Sequence, residues 1–236
     1  MTNLTIFFNL PQSSRCSTGL PPPQSTPGTW ETMKLGSAHG MPTWKDPMPR
    51  PASLPTLDWK QLFESGQDYA AWIADAESPE QAARMEAARA ALTLAPEESA
   101  FLAALPHPVR VLAIAEDWCG DVIRHVPVLQ KLADAAPTLD LRYTSRMAHP
   151  EIFVRFLTNG GEAIPKFVFL SKAWVECGNW GPMPQDGRRL IARGKACGDI
   201  SAARKQVSAL YAADPHCRIA IHELLDLLEI ASCTTP

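Results

Sequence analysis

A single cysteine lies at the junction between a predicted strand and a predicted helix. Cys119 follows the apolar run 109–115, which has strand character, and precedes residues 122–135, where apolar side chains recur at helical spacing. At a helix start, unpaired backbone N–H groups and the positive end of the helix dipole stabilise an anion. Both effects lower the pKa of a thiol, so this position favours a nucleophilic thiolate.

Charged neighbours of Cys119 could either lower or raise the pKa of its thiol. A helix terminus stabilises an anion by only about 0.3–1 kcal/mol at an exposed site. The carboxylates of Glu116, Asp117 and Asp121 would cancel that effect if they lie near the sulfur. Arg124 carries the opposite charge to these carboxylates, and its spacing allows it to pair with Asp121 or to reach a substrate carboxylate. A solvated ion pair fits the same spacing.

Two prolines accompany the cysteine. Pro127 lies eight residues after Cys119, inside the predicted helix, where a proline should cause a kink. Pro165 follows Ile164 and opens the apolar run 167–170, which should be a central strand. Proline is disfavoured in a central strand unless it serves a special turn, so the Ile164-Pro165 bond is a candidate for the cis form.

These residues resemble the thioredoxin superfamily, in which a Trp-Cys-Gly-x-Cys loop opens the first long helix and a cis proline faces the nucleophilic sulfur. The matching positions of this chain are Trp118, Cys119, Gly120, Pro127, Ile164 and Pro165. A closer resemblance is to a bacterial branch of thioredoxin-like proteins with a Glu-Asp-Trp-Cys-Gly-Asp motif. Its signatures stand at 116–121, 159–166 and 180–184, and the similarity covers about residues 57–231.

The chain departs from the dithiol pattern at the resolving cysteine. Val122 occupies that position, so Cys119 has no partner within its own loop. Ala113 replaces the buried carboxylate that many thioredoxins carry before the nucleophile. The resemblance therefore implies monothiol chemistry, in which Cys119 forms a mixed disulfide that an external thiol must resolve. The residues implied to bind the partner are Trp118, Gly120, Asp121, Arg124, Ile164 and Pro165.

Composition limits the remaining possibilities. The chain has 236 residues, 46% of them hydrophobic, which is enough to bury a real core. A formal charge of -3 argues against a dedicated nucleic-acid binder, and no apolar run approaches a membrane span. We expect a cytoplasmic protein without a metal site or a bound cofactor. The cysteines are scattered, with no disulfide framework or zinc pattern, at Cys16, Cys119, Cys177, Cys197, Cys217 and Cys233.

The remaining patterns predict an α/β protein with a thioredoxin-like fold, in which helices flank a mixed central sheet. Residues 1–56 read as a disordered Pro-rich tail, 57–105 as an N-terminal helical extension, and 106–236 as the thioredoxin-like domain with extra C-terminal helices. A separate helical binding domain is the alternative for the extension. Helices are predicted over 58–76, with a break at Gly66, and over 78–94, 96–105, 149–157, 185–196, 200–212 and 217–231. Strands are predicted over 139–143, 167–170 and 174–177.

The leading functional hypothesis is monothiol thiol–disulfide exchange through Cys119. Its partners would be protein thiols or disulfides, and glutathione or another external thiol would release the product. The alternative is a non-catalytic binding module that holds an extended peptide in the groove beside Pro165. Peroxidase activity is disfavoured, because the Pro-x-x-x-Thr/Ser-x-x-Cys arrangement that would activate a peroxide is absent before Cys119.

Overall fold

A mixed four-stranded sheet forms the centre of residues 56–233, the part of the chain that the computed structural model describes. Its strands are β1 (Val109–Ile114), β2 (Leu139–Thr144), β3 (Lys166–Leu170) and β4 (Glu176–Trp180). They lie in the order β2-β1-β3-β4, with β1 and β2 parallel and the other two pairs antiparallel. The predicted α/β fold with a mixed sheet is confirmed. The predicted disordered tail lies outside the described residues, except for Thr56.

In the described part of the chain, four helices precede the sheet: α1 (Trp59–Glu64), α2 (Tyr69–Ala74), α3 (Pro79–Ala91) and α4 (Pro96–Ala103). The side chains of Asp58, Asp68 and Ser78 cap the first three by accepting a backbone N–H hydrogen bond. The segment predicted as helical over 58–76 is broken near Gly66, as expected. A Cβ at Gly66 would lie 2.8 Å from the Arg142 Cβ, so glycine allows this link to approach β2 closely.

The long helix α5 (Gly120–Ala135) joins the parallel strands β1 and β2. Parallel neighbours cannot be connected by a tight turn, and a crossover helix supplies the necessary length. The apolar stripe predicted for this helix is buried, including Val122, Val126 and Leu129. Five of the six residues of β1 are also buried, as expected for a central strand covered on both faces.

Two predicted elements differ from the structure. The helix expected over 149–157 is the single turn α6 (Pro150–Phe153), because the N–H groups of Arg155 and Phe156 bond to carbonyls three residues earlier, as in turns. The strand expected over 174–177 is displaced to β4. A turn closed by the bond from Ser171 N–H to the Val175 carbonyl (2.9 Å) delays the return of the chain, so pairing with β3 starts at Glu176.

Three helices complete the described chain: α7 (Gln185–Ala196), α8 (Ile200–Ala213) and α9 (Arg218–Ala231). Their bounds agree with the predicted ranges to within one residue. Helix α9 packs against β4 and α5. The Trp180 indole N–H donates a hydrogen bond to the Glu223 carboxylate (2.6 Å), which fixes α9 to the end of β4.

The N-terminal helices share one hydrophobic core with the sheet. Met85 of α3 is fully buried, and the Trp72 ring of α2 stacks on Tyr143 of β2 with centroids 5.0 Å apart. Arg89 of α3 donates two hydrogen bonds to Asp134 of α5, at 2.8 and 2.9 Å. The extension therefore packs directly on the sheet and on α5. Within residues 56–233, no helix has the length and apolar composition that crossing a membrane requires.

Candidate functional site

Cys119 is the N-cap residue of α5. The loop after β1 ends in a turn in which the Cys119 N–H donates to the Glu116 carbonyl (3.1 Å). The Cys119 carbonyl then accepts a helical bond from the Ile123 N–H (3.0 Å). Its half-buried thiol donates to the Ile164 carbonyl, 3.4 Å from Sγ. The strand-to-helix junction thus places the sulfur against the loop that precedes β3.

Two loops with cis peptide bonds pack against each other beside this thiol. The Ile164-Pro165 bond is cis, and so is the Gly181-Pro182 bond. A Cβ at Gly181 would overlap the Pro165 carbonyl, and the φ of 121° there is one that L side chains rarely adopt. Glycine at position 181 therefore allows the two loops to pack backbone to backbone. Sequence reasoning did not foresee this second cis bond.

An open cleft of about 600 Å³ extends from Cys119 to helices α7 and α8, and we call it the Cys119 cleft. Four of the sequence-predicted site residues line it: Trp118, Cys119, Asp121 and Ile164. The two helices contribute further lining residues, including Arg188, Ile191, Lys195, Arg204, Val207 and Tyr211. The structure thus brings the predicted thiol surface together with a face built by the C-terminal helices.

The other three predicted site residues do not line this cleft. Gly120 is exposed at the first position of α5, and Pro165 is buried beneath the surface. Arg124 lies across the Tyr211 ring, 4.3 Å from its centroid. Its guanidinium donates to the backbone carbonyls of Tyr211 (3.3 Å) and Asp214 (2.5 Å) near the end of α8. Arg124 therefore ties α8 to α5 and does not face a substrate in the cleft.

Burial is the strongest influence on the Cys119 thiol, and it raises the pKa of this group. Backbone N–H groups of Val122 and Asp121 lower that pKa, whereas the carboxylates of Asp121 and Glu116 raise it further. The helix N-terminus does favour the thiolate, as the sequence indicated. Desolvation outweighs it, and the expected lowering of the pKa is corrected to a rise.

The carboxyl group of Asp121 accepts a hydrogen bond from the Tyr211 hydroxyl (2.7 Å), and no ion pair joins it to Arg124. Burial raises the pKa of Asp121 despite the opposing effects of this bond and of Arg124. His125 lies edge-on to the Trp180 and Tyr211 rings and is fully buried. Burial and the Arg124 charge lower the pKa of His125 to about 3.

Trp118 and Arg146 form a shared boundary between two cavities. The Trp118 side chain is 58% exposed, and the Arg146 guanidinium lies 5.5 Å from its ring centroid. Arg146 also pairs with Glu116 at 3.2 Å. The second cavity, of about 740 Å³, has an acidic lining that includes Asp75, Glu77, Glu116 and Asp117. The two sides of Trp118 thus differ in charge.

No second cysteine of the described chain lines the Cys119 cleft. Cys177 donates to the Val175 carbonyl (3.3 Å), Cys217 is buried at the start of α9, and Cys233 is exposed at its end. Val122, at the position of a resolving cysteine, is fully buried. Among residues 56–233, no three His, Cys, Asp or Glu side chains are grouped so that they could hold a metal ion.

Sequence reasoning did not identify the cationic residues that α7 and α8 bring to the cleft. Arg188 and Lys195 lie seven residues apart on α7, with Ile191 between them, and Arg204 lies on α8. Helical spacing places the α7 residues on one face. That periodicity was the available signal, but the pattern alone does not show that this face turns toward Cys119.

Comparison with known proteins gives a consistent result for the fold. A family model described as thioredoxin matches residues 66–204. The crystal structure of a protein of unknown function from Pseudomonas aeruginosa is 21% identical, with a TM-score of 0.59, and the alignment covers 74% of this chain and 98% of that one. An HIV epitope-scaffold is 23% identical, with a TM-score of 0.56 and coverages of 72% and 96%. No curated protein matches the sequence. At these identities, the two structures support the fold alone.

Proposed function

Because the chain belongs to the thioredoxin family, we propose that it carries out monothiol thiol–disulfide exchange with Cys119 as the nucleophile. The observation that carries this proposal is the position of Cys119. It caps α5, donates to the Ile164 carbonyl, and is the one cysteine of the described chain that lines the cleft. Five of the predicted binding residues surround this thiol or shape the loops on either side of it: Trp118, Gly120, Asp121, Ile164 and Pro165.

The proposed reaction has two exchange steps. The Cys119 thiolate attacks one sulfur of a disulfide, forms a mixed disulfide with it, and releases the other sulfur as a thiolate that takes up the proton lost by Cys119. An external thiolate then attacks the mixed disulfide at the substrate sulfur. This second step restores the Cys119 thiolate and leaves the substrate joined to the external thiol. No net oxidation occurs, since each step exchanges one disulfide for another.

The partners we propose are protein disulfides and glutathionylated proteins, with glutathione as the external thiol. Val122 supports the need for such a thiol, because a buried valine side chain cannot resolve a mixed disulfide. Cys119, Cys177, Cys217 and Cys233 are free thiols. Free thiols fit a reducing compartment, so we propose that the exchange takes place in the cytoplasm.

Intact mass measurement tests the proposal directly. The protein is incubated with oxidised glutathione, and we expect a gain of one glutathione on Cys119, which dithiothreitol reverses. Cys119→Ser should lack this adduct, whereas the matched variant Cys233→Ser, at an exposed thiol outside the cleft, should retain it. A wild-type protein without an adduct on Cys119 would contradict the proposal.

A second candidate function is a non-catalytic module that binds an extended peptide beside Trp118 and Ile164. The observation in its favour is the burial that raises the pKa of the Cys119 thiol and opposes its activation. Val122→Cys distinguishes the two functions. If the loop supports exchange, this variant should form an internal disulfide with Cys119 and reduce insulin disulfides in a thioredoxin-reductase assay, whereas the wild type should not. A variant whose two thiols stay reduced in mild oxidant would favour the binding module.

A further inference from the structure

Three cations line the Cys119 cleft without a carboxylate partner. No Asp or Glu of residues 56–233 lies within ion-pair distance of Arg188, Lys195 or Arg204. Arg188 donates to the Gly181 carbonyl (3.2 Å) and Lys195 to the Asn159 carbonyl (2.9 Å), so two of the three cationic groups have only neutral backbone partners. Their positive charges remain available to a ligand.

Other charges on the cleft do not cancel this excess. Arg146 is paired with Glu116 at 3.2 Å and is therefore neutralised. Two carboxylates, Asp121 and Glu162, line the cleft against the three unpaired cations, so one positive charge remains in excess. A further cation, Lys166, is buried and donates to the hydroxyl of the lining residue Thr158 at 2.9 Å. The cleft is thus cationic in a chain whose formal net charge is -3.

An apolar strip accompanies these cations. Residues 188, 191 and 195 recur at spacings of three and four on α7, as do 204, 207 and 211 on α8, so each helix presents one face to the cleft. Between the charged groups, those faces carry Ile191 and Val207, and Met183 and Ile164 extend the apolar lining toward Cys119. This lining suits a ligand that combines neutral or apolar groups with negative charge.

We propose that the Cys119 cleft binds a low-molecular-weight disulfide whose ends carry carboxylates or phosphates, and that Arg188, Lys195 and Arg204 select it. This inference rests on the proposed function and adds a small-molecule substrate for its first step to the protein substrates proposed above. Arginine binds both anions in bidentate geometry, and lysine binds them as a point charge. The volume of about 600 Å³ is that of a small-molecule site.

In this reaction the cations bind the ends of the disulfide and place its central sulfurs beside Cys119. The Cys119 thiolate forms a bond to the nearer sulfur while the sulfur–sulfur bond breaks. The other half leaves as a thiolate and takes up the proton that Cys119 has lost. The charged ends take no part in bond making, so their contribution is to binding and orientation.

A charge series of symmetric disulfides tests this assignment. The probes are 3,3′-dithiodipropionate, which is dianionic, 2-hydroxyethyl disulfide, which is neutral, and cystamine, which is dicationic. The rate of adduct formation on Cys119 is measured by intact mass at low salt, and each rate is divided by that of a small free thiol with the same probe. We expect the anionic probe to exceed the neutral one by at least about tenfold, and this preference to fall as salt screens the cations.

Two triple variants assign the preference to the cleft. The variant with Arg188→Gln, Lys195→Gln and Arg204→Gln together should lose the anion preference, measured as the rate with the anionic probe divided by the rate of the same variant with the neutral probe. The matched control combines Arg189→Gln, Arg193→Gln and Lys205→Gln. It removes the same charge from the same helices, at exposed positions outside the cleft lining. It should keep the preference. Competition by oxidised glutathione and by coenzyme A disulfide then distinguishes carboxylate from phosphate ends.

The outcomes separate this inference from the function on which it rests. Adduct formation with the neutral probe, without a preference for the anionic one, would overturn the inference and leave exchange through Cys119 intact. Equal loss of the preference in both triple variants would also overturn it, because the effect would then come from net charge. A protein that forms no adduct with any of the probes would overturn the proposed function itself.

Discussion

The Cys119 thiol shows how backbone position and burial act against each other on one atom. Hydrogen bonds from the N–H groups of Val122 and Asp121 favour the thiolate, whereas burial and the carboxylates of Asp121 and Glu116 favour the neutral thiol. Burial is the larger effect, so most of the thiol is protonated at neutral pH. The reactive fraction is small, and its size should depend steeply on pH.

Alkylation of Cys119 by iodoacetamide should therefore accelerate well above neutral pH. Below a raised pKa the thiolate fraction grows about tenfold for each pH unit, so we expect the rate to rise from pH 7 to pH 9 without a plateau. Peptide-resolved mass spectrometry measures it. Asp121→Asn should shift the curve to lower pH, because it removes a charge while its amide oxygen can still accept from Tyr211. Asp226→Asn, exposed on α9, is the control, and a wild-type plateau below pH 8 would contradict the expectation.

Acid should destabilise the fold through His125. The folded protein holds the pKa of His125 at about 3, whereas the unfolded chain returns it to about 6.5. Below that value only the unfolded chain takes up the proton, so the free energy of unfolding should fall by about 1.4 kcal/mol for each pH unit until the folded pKa is reached. Urea denaturation between pH 7 and pH 4 measures this slope. His125→Phe should flatten it and the exposed His216→Phe should not; parallel profiles for all three proteins would show that His125 does not contribute.

At the scale of elements, the packing of α7 on α8 determines the shape of the Cys119 cleft. The chain reverses between these helices at Gly198, where φ is 72°. The Asp199 N–H then donates to the Gly194 carbonyl (2.9 Å). A Cβ at Gly194 would overlap the Ala203 Cβ and lie 2.9 Å from the Asp199 carbonyl. Glycine is thus required for the close approach of the helices that carry Arg188 and Arg204.

Gly194→Ala should accordingly destabilise the protein, although alanine is the better helix former. The added methyl group must displace backbone or the Ala203 side chain, and overpacking of this kind costs about 1–3 kcal/mol. Gly120→Ala is the matched control, since a Cβ there meets nothing within 4 Å and should stabilise α5 by up to about 1 kcal/mol. Denaturant unfolding of both variants measures the difference. Equal stability for both would show that the contact between the helices relaxes without cost.

Local patterns were sufficient to predict most elements around the thiol. The apolar run of β1, the stripe of α5 and the proline before β3 each carry their own signal, and together they place Cys119 at a strand-to-helix junction. The displaced β4 was not predictable in the same way. Its start depends on how the turn from Ser171 to Val175 closes, and that turn is held by backbone bonds and by two N–H groups that donate to the Ser171 hydroxyl, none of which a periodic pattern marks.

The cations that α7 and α8 bring to the Cys119 cleft were not predictable, because their position depends on contacts between segments that are distant in sequence. Arg124 and Asp121 have the spacing of an ion pair. Arg124 instead bonds to the carbonyl of Asp214 at the end of α8, ninety residues further along the sequence. Arg188 and Arg204 reach the cleft only through the packing of α7 on α8. A helical period shows which residues share a face, and tertiary packing decides where that face points.

At the scale of the whole molecule, the N-terminal helices are built into the core around the sheet. Met85 and Leu102 are fully buried, and Trp72 covers the Tyr143 ring at the surface of β2. Arg89 adds a bidentate bond from α3 to Asp134 of α5. Without these helices, the outer faces of β2 and α5 would be exposed to water, at a cost proportional to the apolar area uncovered.

A protein shortened to residues 106–236 should therefore fail to fold cooperatively, whereas residues 56–236 should unfold in a single transition. The shorter chain lacks the buried side chains of α1 to α4, so we expect a broad or absent thermal transition and strong binding of a hydrophobic dye. A milder test keeps the helices: Leu102→Ala in the longer chain should lower the free energy of unfolding by about 2–5 kcal/mol, while the exposed Thr93→Ala should change it little. Circular dichroism during heating measures all four proteins. A cooperative transition of residues 106–236 at the midpoint of the longer chain would show that the extension is a separate helical domain, and that the sheet, α5 and the Cys119 cleft are stable without it.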